Sequence, residues 1–287
     1  MIFLDGVGIG PLDLQFNPFS FSQAGIFNHD GNQLPGGGRR FSLDATLGIP
    51  GLPQSATGQT TIYTGINAAR VIGKHLFGVP NHALRELLAT ESVFIKLKKS
   101  GITCRFLNAF RPVFFTSPQL FRHLSMSTTT EMNRAAQLPF STFHQIKSGE
   151  ALYHDFTNSN MIRLGFDLPL YSPEQGAHII SEASKQVNLL LYEYFLTDFA
   201  GHAQDMPSAI DEIKKIEALI VRMVSLLDFN STHLIVVSDH GNLEDLRTKS
   251  HTTNPAFLGV WGKHPDCAFH SLTDVAPFII RQIFGVS

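Results

Sequence analysis

Short apolar runs alternate with longer segments of helical periodicity along most of the 287-residue chain. The pattern predicts strands over 1–4, 102–110, 232–241 and 255–262, with a further apolar run over 188–199. Helices are predicted over 55–70, 81–101, 173–187, 206–228 and 272–284. Segment 30–54 contains glycines and prolines without periodicity, so it is predicted to be a loop. This alternation is typical of an α/β fold, here with a mainly parallel sheet flanked by helices.

Residues 76–178 differ in composition from the segments on either side of them. They combine many phenylalanines with arginines, namely Arg85, Arg105, Arg111, Arg122, Arg134 and Arg163. We predict that this segment is a small inserted cap that contributes to substrate binding. The catalytic core would then be discontinuous and consist of 1–75 and 179–287. For any single arginine, a solvated surface position is the structural alternative.

Composition and charge restrict the class of protein further. Hydrophobic residues make up 43% of the chain and charged residues 16%, which is typical of a globular protein. A formal net charge of −2 gives no global basic field, so we expect neither nucleic acid nor a membrane as partner. The N-terminal segment lacks a basic region, and Asp5 interrupts its apolar run. We therefore expect no signal peptide and a cytoplasmic protein. Oligomeric state cannot be inferred from the sequence.

The two cysteines, Cys104 and Cys267, do not form a CxxC motif. This spacing argues against a disulfide scaffold and against a zinc site built from thiolates.

Acidic and imidazole side chains follow the predicted strands at or near their carboxyl ends. They are Asp5, Asp198, His202, Asp239, His240 and, in the loop that follows, His251. Taken singly, each has a structural alternative, such as a turn cap, a surface histidine or a satisfied core histidine. A parallel sheet brings its strand ends together, and this set of oxygen and nitrogen ligands suits zinc or manganese. Two such ions can clamp the attacking and leaving oxygens of a phosphoryl group.

Ser55 supplies a candidate nucleophile at the N-terminus of the first predicted helix. A serine hydroxyl is a weak nucleophile until a metal or a base removes its proton. The helix N-terminus would also offer free N–H groups and a positive dipole end to phosphate oxygens. The structural alternative is that Ser55 is only a helix N-cap.

Several of these segments resemble cofactor-independent phosphoglycerate mutases and phosphopentomutases, which belong to the alkaline phosphatase superfamily. The matching segments are DGVGIG, GLPQSATGQTTIYTG, DFAGHAQD, SDHGNLED and HTTNPAF, and the resemblance covers about 1–75 and 190–287. It implies an alkaline phosphatase-like core that holds two divalent ions, Mn²⁺ or Zn²⁺. Asp5, Ser55, Asp239 and His240 would bind one ion. Asp198, His202 and His251 would bind the other.

The resemblance also implies that Ser55 becomes phosphorylated, because Gly58 and Gly65 follow it at the distances of the mutase motif. Thr57, Thr60 and Thr61 are nearby rivals for this role. Gln59 is a departure, since the mutases usually have histidine there, and the insert is shorter than in phosphoglycerate mutase. Sulfatases have proline and arginine where this chain has Thr57 and Gln59, which argues against sulfate-ester hydrolysis.

The sequence therefore predicts a phosphoryl-transfer enzyme that acts on a small phosphorylated metabolite through a phosphoserine intermediate. Transfer to water would make it a phosphatase, and transfer back to the substrate would make it a mutase. The motifs leave this choice open. The alternative from another class is a non-catalytic metal-binding module that retains an enzyme fold.

Overall fold

A seven-stranded mixed sheet forms the centre of the computed structural model, which describes residues 1–28, 31–117, 126–263 and 268–285. Its strands are β1 (Ile2–Leu4), β2 (Gln33–Leu34), β3 (Gly38–Leu43), β4 (Cys104–Phe106), β7 (Leu189–Tyr194), β8 (Leu234–Ser238) and β9 (Ala256–Trp261). Their order across the sheet is β2-β3-β9-β8-β1-β7-β4. Two short strands, β5 (Ala109–Phe110) and β6 (Ser141–Thr142), pair in a separate small sheet.

Helices connect most of these strands. In chain order they are α1 (Ser55–Thr64), α2 (Ala68–Ile72), α3 (His82–Glu91), α4 (Val93–Lys99), α5 (Pro112–Thr116), α6 (Thr128–Ala135), α7 (Phe143–Lys147), α8 (Ser159–Arg163), α9 (Pro173–Ser184), α10 (Leu196–Ala203), α11 (Met206–Leu226) and α12 (Val275–Phe284). Short 3₁₀ turns cover Pro18–Phe21, Pro35–Gly37 and Leu272–Asp274. The α/β fold predicted from the sequence is confirmed.

Two of the predicted helices are each divided in the structure. The predicted helix over 55–70 ends at Gly65, whose φ of 75° gives a left-handed C-cap, and α2 follows. The predicted helix over 81–101 is interrupted at Ser92, which has an extended backbone and caps α4 through its side chain.

The parallel half of the sheet aligns the carboxyl ends of its strands. β1 lies between β7 and β8 and is parallel to both, while β4 pairs parallel with β7. Leu4 lies opposite Tyr194 on one side and Ser238 on the other. The chain therefore leaves β1, β7 and β8 at the same level, which brings Asp5 and Asp239 to one edge of the sheet.

The other half of the sheet is antiparallel and includes part of the segment 30–54 that was predicted to be a loop. β9 runs antiparallel to β8, and β3 pairs antiparallel with β9 over Arg39–Leu43. The prediction of a loop over 30–54 is therefore wrong for 33–43. The glycines and prolines around β3 obscure its strand pattern, and its side chains do not alternate between buried and exposed positions. Pairing with the fully buried β9 stabilises it, which is a tertiary effect.

Both faces of the sheet are buried under helices. One core cluster contains Ile2 and Leu4 of β1 with residues of α9 and α11. The other contains Phe3 with residues of α1, α4 and α12. Because side chains alternate between the faces of a strand, one strand supplies both clusters. Burial on both faces explains why the central strands are continuous apolar runs.

Part of the predicted insert 76–178 belongs to the main core. β4 pairs with β7 in the seven-stranded sheet, and Phe94 and Leu97 of α4 lie in the second core cluster. A smaller cluster between Ala109 and Leu168 packs around the β5–β6 sheet. The region that stands apart from the main sheet is therefore shorter than the predicted insert.

Cys104 is a free, partly buried thiol, and burial raises its pKa to about 12, which makes it a poor nucleophile. Cys267 and Arg122 lie outside the described residues. Within the described part of the chain, no helix combines the length and apolarity needed to cross a membrane.

The placement of α4 in the main core predicts a large cost for Phe94→Ala. Phe94 is fully buried, so its truncation should lower the free energy of unfolding by about 3–5 kcal/mol. Phe115 of α5 is 41% exposed, and Phe115→Ala should cost less than about 1 kcal/mol. Urea unfolding of both variants measures the difference. If both substitutions lowered the free energy of unfolding by the same small amount, the placement of α4 in the core would be wrong.

Candidate active site

The sheet edge brings together the acidic and imidazole residues predicted from the sequence. Asp5 directly follows β1, and Asp239 and His240 directly follow β8. Asp198 lies in the first turn of α10, and His202 lies one turn later on the same helix. His251 lies in the loop before β9 and stacks on His240, with ring centroids 3.7 Å apart.

The first group surrounds the Nε2 atom of His240. This atom lies 3.2 Å from Oδ1 of Asp5, 3.6 Å from Oδ2 of Asp239 and 3.1 Å from Oγ of Ser55. Asp239 and His240 are completely buried. One ligand atom each from Asp5, Asp239 and His240 lies within 4.8 Å of the others, which is close enough for one metal ion.

The second group surrounds the carboxylate of Asp198. Its Oδ2 lies 3.1 Å from Nε2 of His202, and its Oδ1 lies 3.7 Å from Nε2 of His251. Asp198, His240 and His251 also form a set with ligand atoms within 4.8 Å of one another. His240 therefore lies at the junction of the two groups, and the two groups form one continuous site.

Backbone carbonyls fix the orientation of the three imidazoles. Nδ1 of His202 donates to the carbonyl of Lys249 at 2.6 Å, and Nδ1 of His251 donates to that of Pro53 at 2.8 Å. Nδ1 of His240 makes a longer contact of 3.4 Å with the carbonyl of Gly241. For His202 and His251, a proton on Nδ1 leaves the Nε2 lone pair of the neutral ring directed at the carboxylate of Asp198. This is the usual arrangement of a histidine that binds a metal.

The carboxylates lie too close together to be stable without a counter-charge. Burial raises the pKa of both Asp5 and Asp239, and the neighbouring acids raise them further. For His240, burial lowers the pKa, but Asp239 and Asp5 outweigh this effect and raise it to about 10. His251 has its pKa lowered to about 4 by burial and by the neighbouring His240.

One further observation indicates that a cation fits here. Among the described residues, the buried Oδ1 of Asp5 has no hydrogen-bond partner other than Nε2 of His240, 3.2 Å away, which donates only when the ring is protonated there. A buried carboxylate oxygen without a partner is costly unless a cation neutralises it. The donor set contains only oxygen and nitrogen atoms, which suits a divalent ion such as zinc or manganese.

The geometry distinguishes Ser55 from its neighbouring threonines. The N-cap of α1 is Gln54, so Ser55 is the first helical residue and not the cap. The three rival threonines each donate to a main-chain carbonyl: Thr57 to Gln54, Thr60 to Ala56 and Thr61 to Thr57. The hydroxyl of Ser55 instead lies at the centre of the first group, beside His240.

The α1 N-terminus offers fewer free donors than the sequence predicted. The N–H of Ala56 donates to the carbonyl of Leu76 at 3.2 Å, so this donor is already satisfied. The N–H of Gly58 donates to the carbonyl of Gln54 as part of the helix. The dipole of the ten-residue helix remains directed at the site from the Ser55 end.

Gln59, which departs from the mutase pattern, has a position of its own in the site. Its Nε2 donates to Oδ2 of Asp239 at 3.3 Å and to Oδ2 of Asp5 at 3.5 Å. The amide therefore bridges two ligands and holds them at a fixed separation. α1 approaches Asp239 closely here, because a Cβ on Gly58 would lie 2.9 Å from the Cβ of Asp239.

Two further residues that position ligands were not identified from the sequence. Nδ2 of Asn242 donates to Oδ1 of Asp198 at 2.6 Å. Glu244 is fully buried and accepts from the N–H groups of Gly8 and Asn242 at 3.0 and 2.8 Å. It also accepts from Thr252, beside His251. Both residues lie in the SDHGNLED segment, but their role depends on contacts with distant loops.

Comparison with protein families agrees with this geometry. Residues 168–284 match the model of the Metalloenzyme superfamily. This range includes Asp198, His202, Asp239, His240 and His251. Asp5 and Ser55 lie outside the matched range, and β1 and α1 bring them to the site.

Curated relatives include 2,3-bisphosphoglycerate-independent phosphoglycerate mutases. The enzyme of Methylobacillus flagellatus is 27% identical over 127 residues, which is 39% of this chain and 25% of the relative. That of Laribacter hongkongensis is 29% identical over 127 residues, which is 40% of this chain and 25% of the relative. The chain thus matches these relatives over about a quarter of their length.

Two solved structures share the fold over almost the whole chain. The PH0037 protein from Pyrococcus horikoshii has a TM-score of 0.60 and 10% identity, and the match covers 100% of this chain and 98% of the other. A cold-active alkaline phosphatase from Shewanella sp. has a TM-score of 0.57 and 12% identity, with 99% of each chain covered. These two structures show a shared fold, and the family match and the relatives agree with the resemblance that the sequence motifs carry.

Proposed function

We propose that this chain is a two-metal phosphoryl-transfer enzyme that acts on a small phosphate ester through phosphorylated Ser55. The observation that carries the proposal is the position of the Ser55 hydroxyl. It lies 3.1 Å from Nε2 of His240, within a buried group of carboxylates and imidazoles. A nucleophile beside a site suited to divalent cations is the arrangement that in-line phosphoryl transfer requires.

The two groups of side chains divide the proposed ligands between two ions, Mn²⁺ or Zn²⁺. Asp5, Ser55, Asp239 and His240 would hold one ion, and Asp198, His202 and His251 would hold the other. When bound, such ions stabilise the negative charge that develops on the attacking, transferred and leaving oxygens.

The chain's own residues orient the reacting groups. Gln59 and Asn242 hold the carboxylates of Asp5, Asp239 and Asp198 in place. The Ser55 oxygen forms a bond to phosphorus as the bond from phosphorus to the ester oxygen breaks. The proton of the Ser55 hydroxyl ends on the released alcohol.

In the second step, an acceptor hydroxyl attacks the phosphoserine and Ser55 recovers its proton. With water as the acceptor, the products are phosphate and free enzyme. With a hydroxyl of the retained alcohol, the product is an isomeric ester, and the enzyme is a mutase. A mutase must hold the alcohol and exclude water throughout.

Four of the insert arginines favour the phosphatase outcome, and Arg111 is not among them, since it lines a cavity. Arg85 and Arg105 donate to main-chain carbonyls, Arg134 pairs with Glu131, and Arg163 donates to Asn160. These four guanidinium groups are therefore engaged within the protein.

A non-catalytic metal-binding module would require neither a nucleophile nor its placement beside His240, so the position of Ser55 weighs against that alternative.

The proposal predicts that Ser55→Ala abolishes turnover while the protein stays folded. Loss of the nucleophile should lower kcat for an aryl phosphate by at least about 10³-fold. Thr57→Ala removes a rival hydroxyl and should retain most of the turnover. Mass spectrometry of quenched reactions should find phosphate on the peptide that contains Ser55. Full turnover by Ser55→Ala would contradict the assignment of the nucleophile.

Removal of metal should abolish turnover reversibly. Chelation should remove about two divalent ions per chain, and Mn²⁺ or Zn²⁺ should restore activity. Asp239→Asn and Asp198→Asn should each reduce the bound metal, because each removes a charged ligand from one group. Asp228→Asn, at an exposed turn, serves as the matched control and should bind metal normally. Activity that is indifferent to chelation would contradict the two-metal proposal.

A further inference from the structure

A cavity of about 380 Å³ lies beside the proposed catalytic site, at the carboxyl end of β7. Its walls come from β5, the first turn of α5, the start of α6 and the end of β7. The volume falls within the range typical of small-molecule sites, which is roughly 300–1,000 Å³. The mechanism described above does not use this cavity.

The lining of the cavity is mainly aromatic. Phe106, Phe110, Phe114 and Phe195 contribute rings, and Val113 adds a further apolar side chain. The rings pack against one another: those of Phe110 and Phe114 have centroids 4.4 Å apart, and those of Phe106 and Phe110 are 6.1 Å apart. Such a surface favours an apolar, flat ligand group.

Chain connectivity places this cavity next to the metal-ligand groups. Phe195 of the cavity precedes Asp198 by three residues, so their Cα atoms lie within about 11 Å of each other. Its ring also contacts that of Phe199, with centroids 5.5 Å apart. Phe199 follows Asp198 directly and is 58% exposed.

A buried hydrogen-bonded chain also links the cavity to α1. Glu193 of the cavity wall accepts from the hydroxyl of Thr129 at 2.7 Å, and Thr129 contacts the hydroxyl of Tyr63 at 2.8 Å. Tyr63 lies on the same helix as Ser55. Burial raises the pKa of Glu193 to about 7, and Asp5 contributes to this shift despite the opposing hydrogen bond from Thr129. Glu193 thus lies within electrostatic range of the first group.

The exposed side of the metal-ligand groups is also aromatic. Phe77 is 69% exposed, and its ring centroid lies 6.3 Å from that of His251. Together with Phe199, it places apolar surface beside the ligands of the second group. Exposed aromatic rings beside such a polar site favour contact with an apolar part of a ligand.

The polar side of the cavity is mixed in charge, because Arg111 and Glu193 share it with Asn108, Ser127, Thr130, Tyr153 and His154. Arg111 is the one described insert arginine in its lining. Asn108 is engaged with the main chain of Glu193, at 2.8 and 2.9 Å. Glu193 is an acid, so its charged form repels a carboxylate or a second phosphate.

We propose that this cavity binds the alcohol part of the phosphate ester, and that this alcohol carries an aromatic or otherwise apolar group. The inference rests on the proposed function, since it assumes that a phosphoryl group occupies the site beside Ser55. It assigns substrate selectivity to Phe110, Phe114, Phe195 and Val113.

Binding of two phosphonates to the metal-loaded chain tests the proposal. Phenylphosphonate and methylphosphonate differ in the group attached to phosphorus, and calorimetric titration measures both affinities. We expect phenylphosphonate to bind at least about tenfold more tightly. Val113→Trp, which fills the cavity, should abolish this preference while the affinity for methylphosphonate stays unchanged.

Val221→Trp is the matched control, because Val221 is a similarly exposed valine on α11, at 42% against 40% for Val113. It should keep the wild-type preference. If Val113→Trp fails to fold, Phe110→Ala provides the second variant and should also lower the preference. Equal affinities in the wild type, or a preference that both cavity variants retain, would overturn the proposal.

Turnover separates failure of this inference from failure of the proposed function. A wild-type protein that prefers phenylphosphonate but neither hydrolyses nor isomerises any phosphate ester tested would support the assignment of the cavity and contradict the proposed enzymatic function. Conversely, Ser55-dependent turnover that favours 3-phosphoglycerate over phenyl phosphate would support the enzyme and overturn the assignment of the cavity.

Discussion

The close approach of three carboxylates at one edge of the sheet, with Asp239 fully buried among them, is the constraint on which the rest of the structure depends. Asp5, Asp239 and Asp198 come from three separate parts of the chain, and the register of β1, β7 and β8 brings the first two to the same level. Burial destabilises the charged forms of Asp5 and Asp239, and repulsion from the neighbouring acids adds to the effect at Asp239. Bound divalent cations would neutralise the carboxylates. Metal binding would therefore stabilise this part of the folded protein.

The surrounding structure holds this charged edge in place. Gln59 bridges Asp5 and Asp239, Asn242 holds Asp198, and Glu244 ties together the loops that carry Gly8 and Thr252. Main-chain carbonyls orient His202 and His251. The ligands are therefore fixed by neighbours that need no metal to form, so the site is organised before an ion binds.

The sequence predicted the central strands and long helices well, because apolar runs and helical periodicity follow directly from burial on both faces of the sheet. It also predicted which acids and imidazoles meet, since residues at the ends of parallel strands share an edge. Strand β3 was missed because it is stabilised by pairing with β9, which is distant in sequence. The bridging role of Gln59 and the loop contacts of Glu244 were missed for the same reason, as was the position of β4 and α4 in the main core.

The side chains around the site differ from those that the sequence motifs predicted. The insert was predicted to contribute to substrate binding, yet its Arg85, Arg105, Arg134 and Arg163 are engaged within the protein, while Arg111 lines the cavity. Aromatic side chains occupy the space beside the proposed catalytic residues instead. The chemistry of the site and the selectivity of its surroundings are thus separate properties, carried by different parts of the chain.

Anomalous diffraction from crystals grown with Mn²⁺ tests the central claim most directly, because it locates each ion independently of any assumed reaction. The account predicts one peak among Asp5, Ser55, Asp239 and His240, and a second among Asp198, His202 and His251. A single peak, no peak, or ions bound away from Ser55 would contradict it.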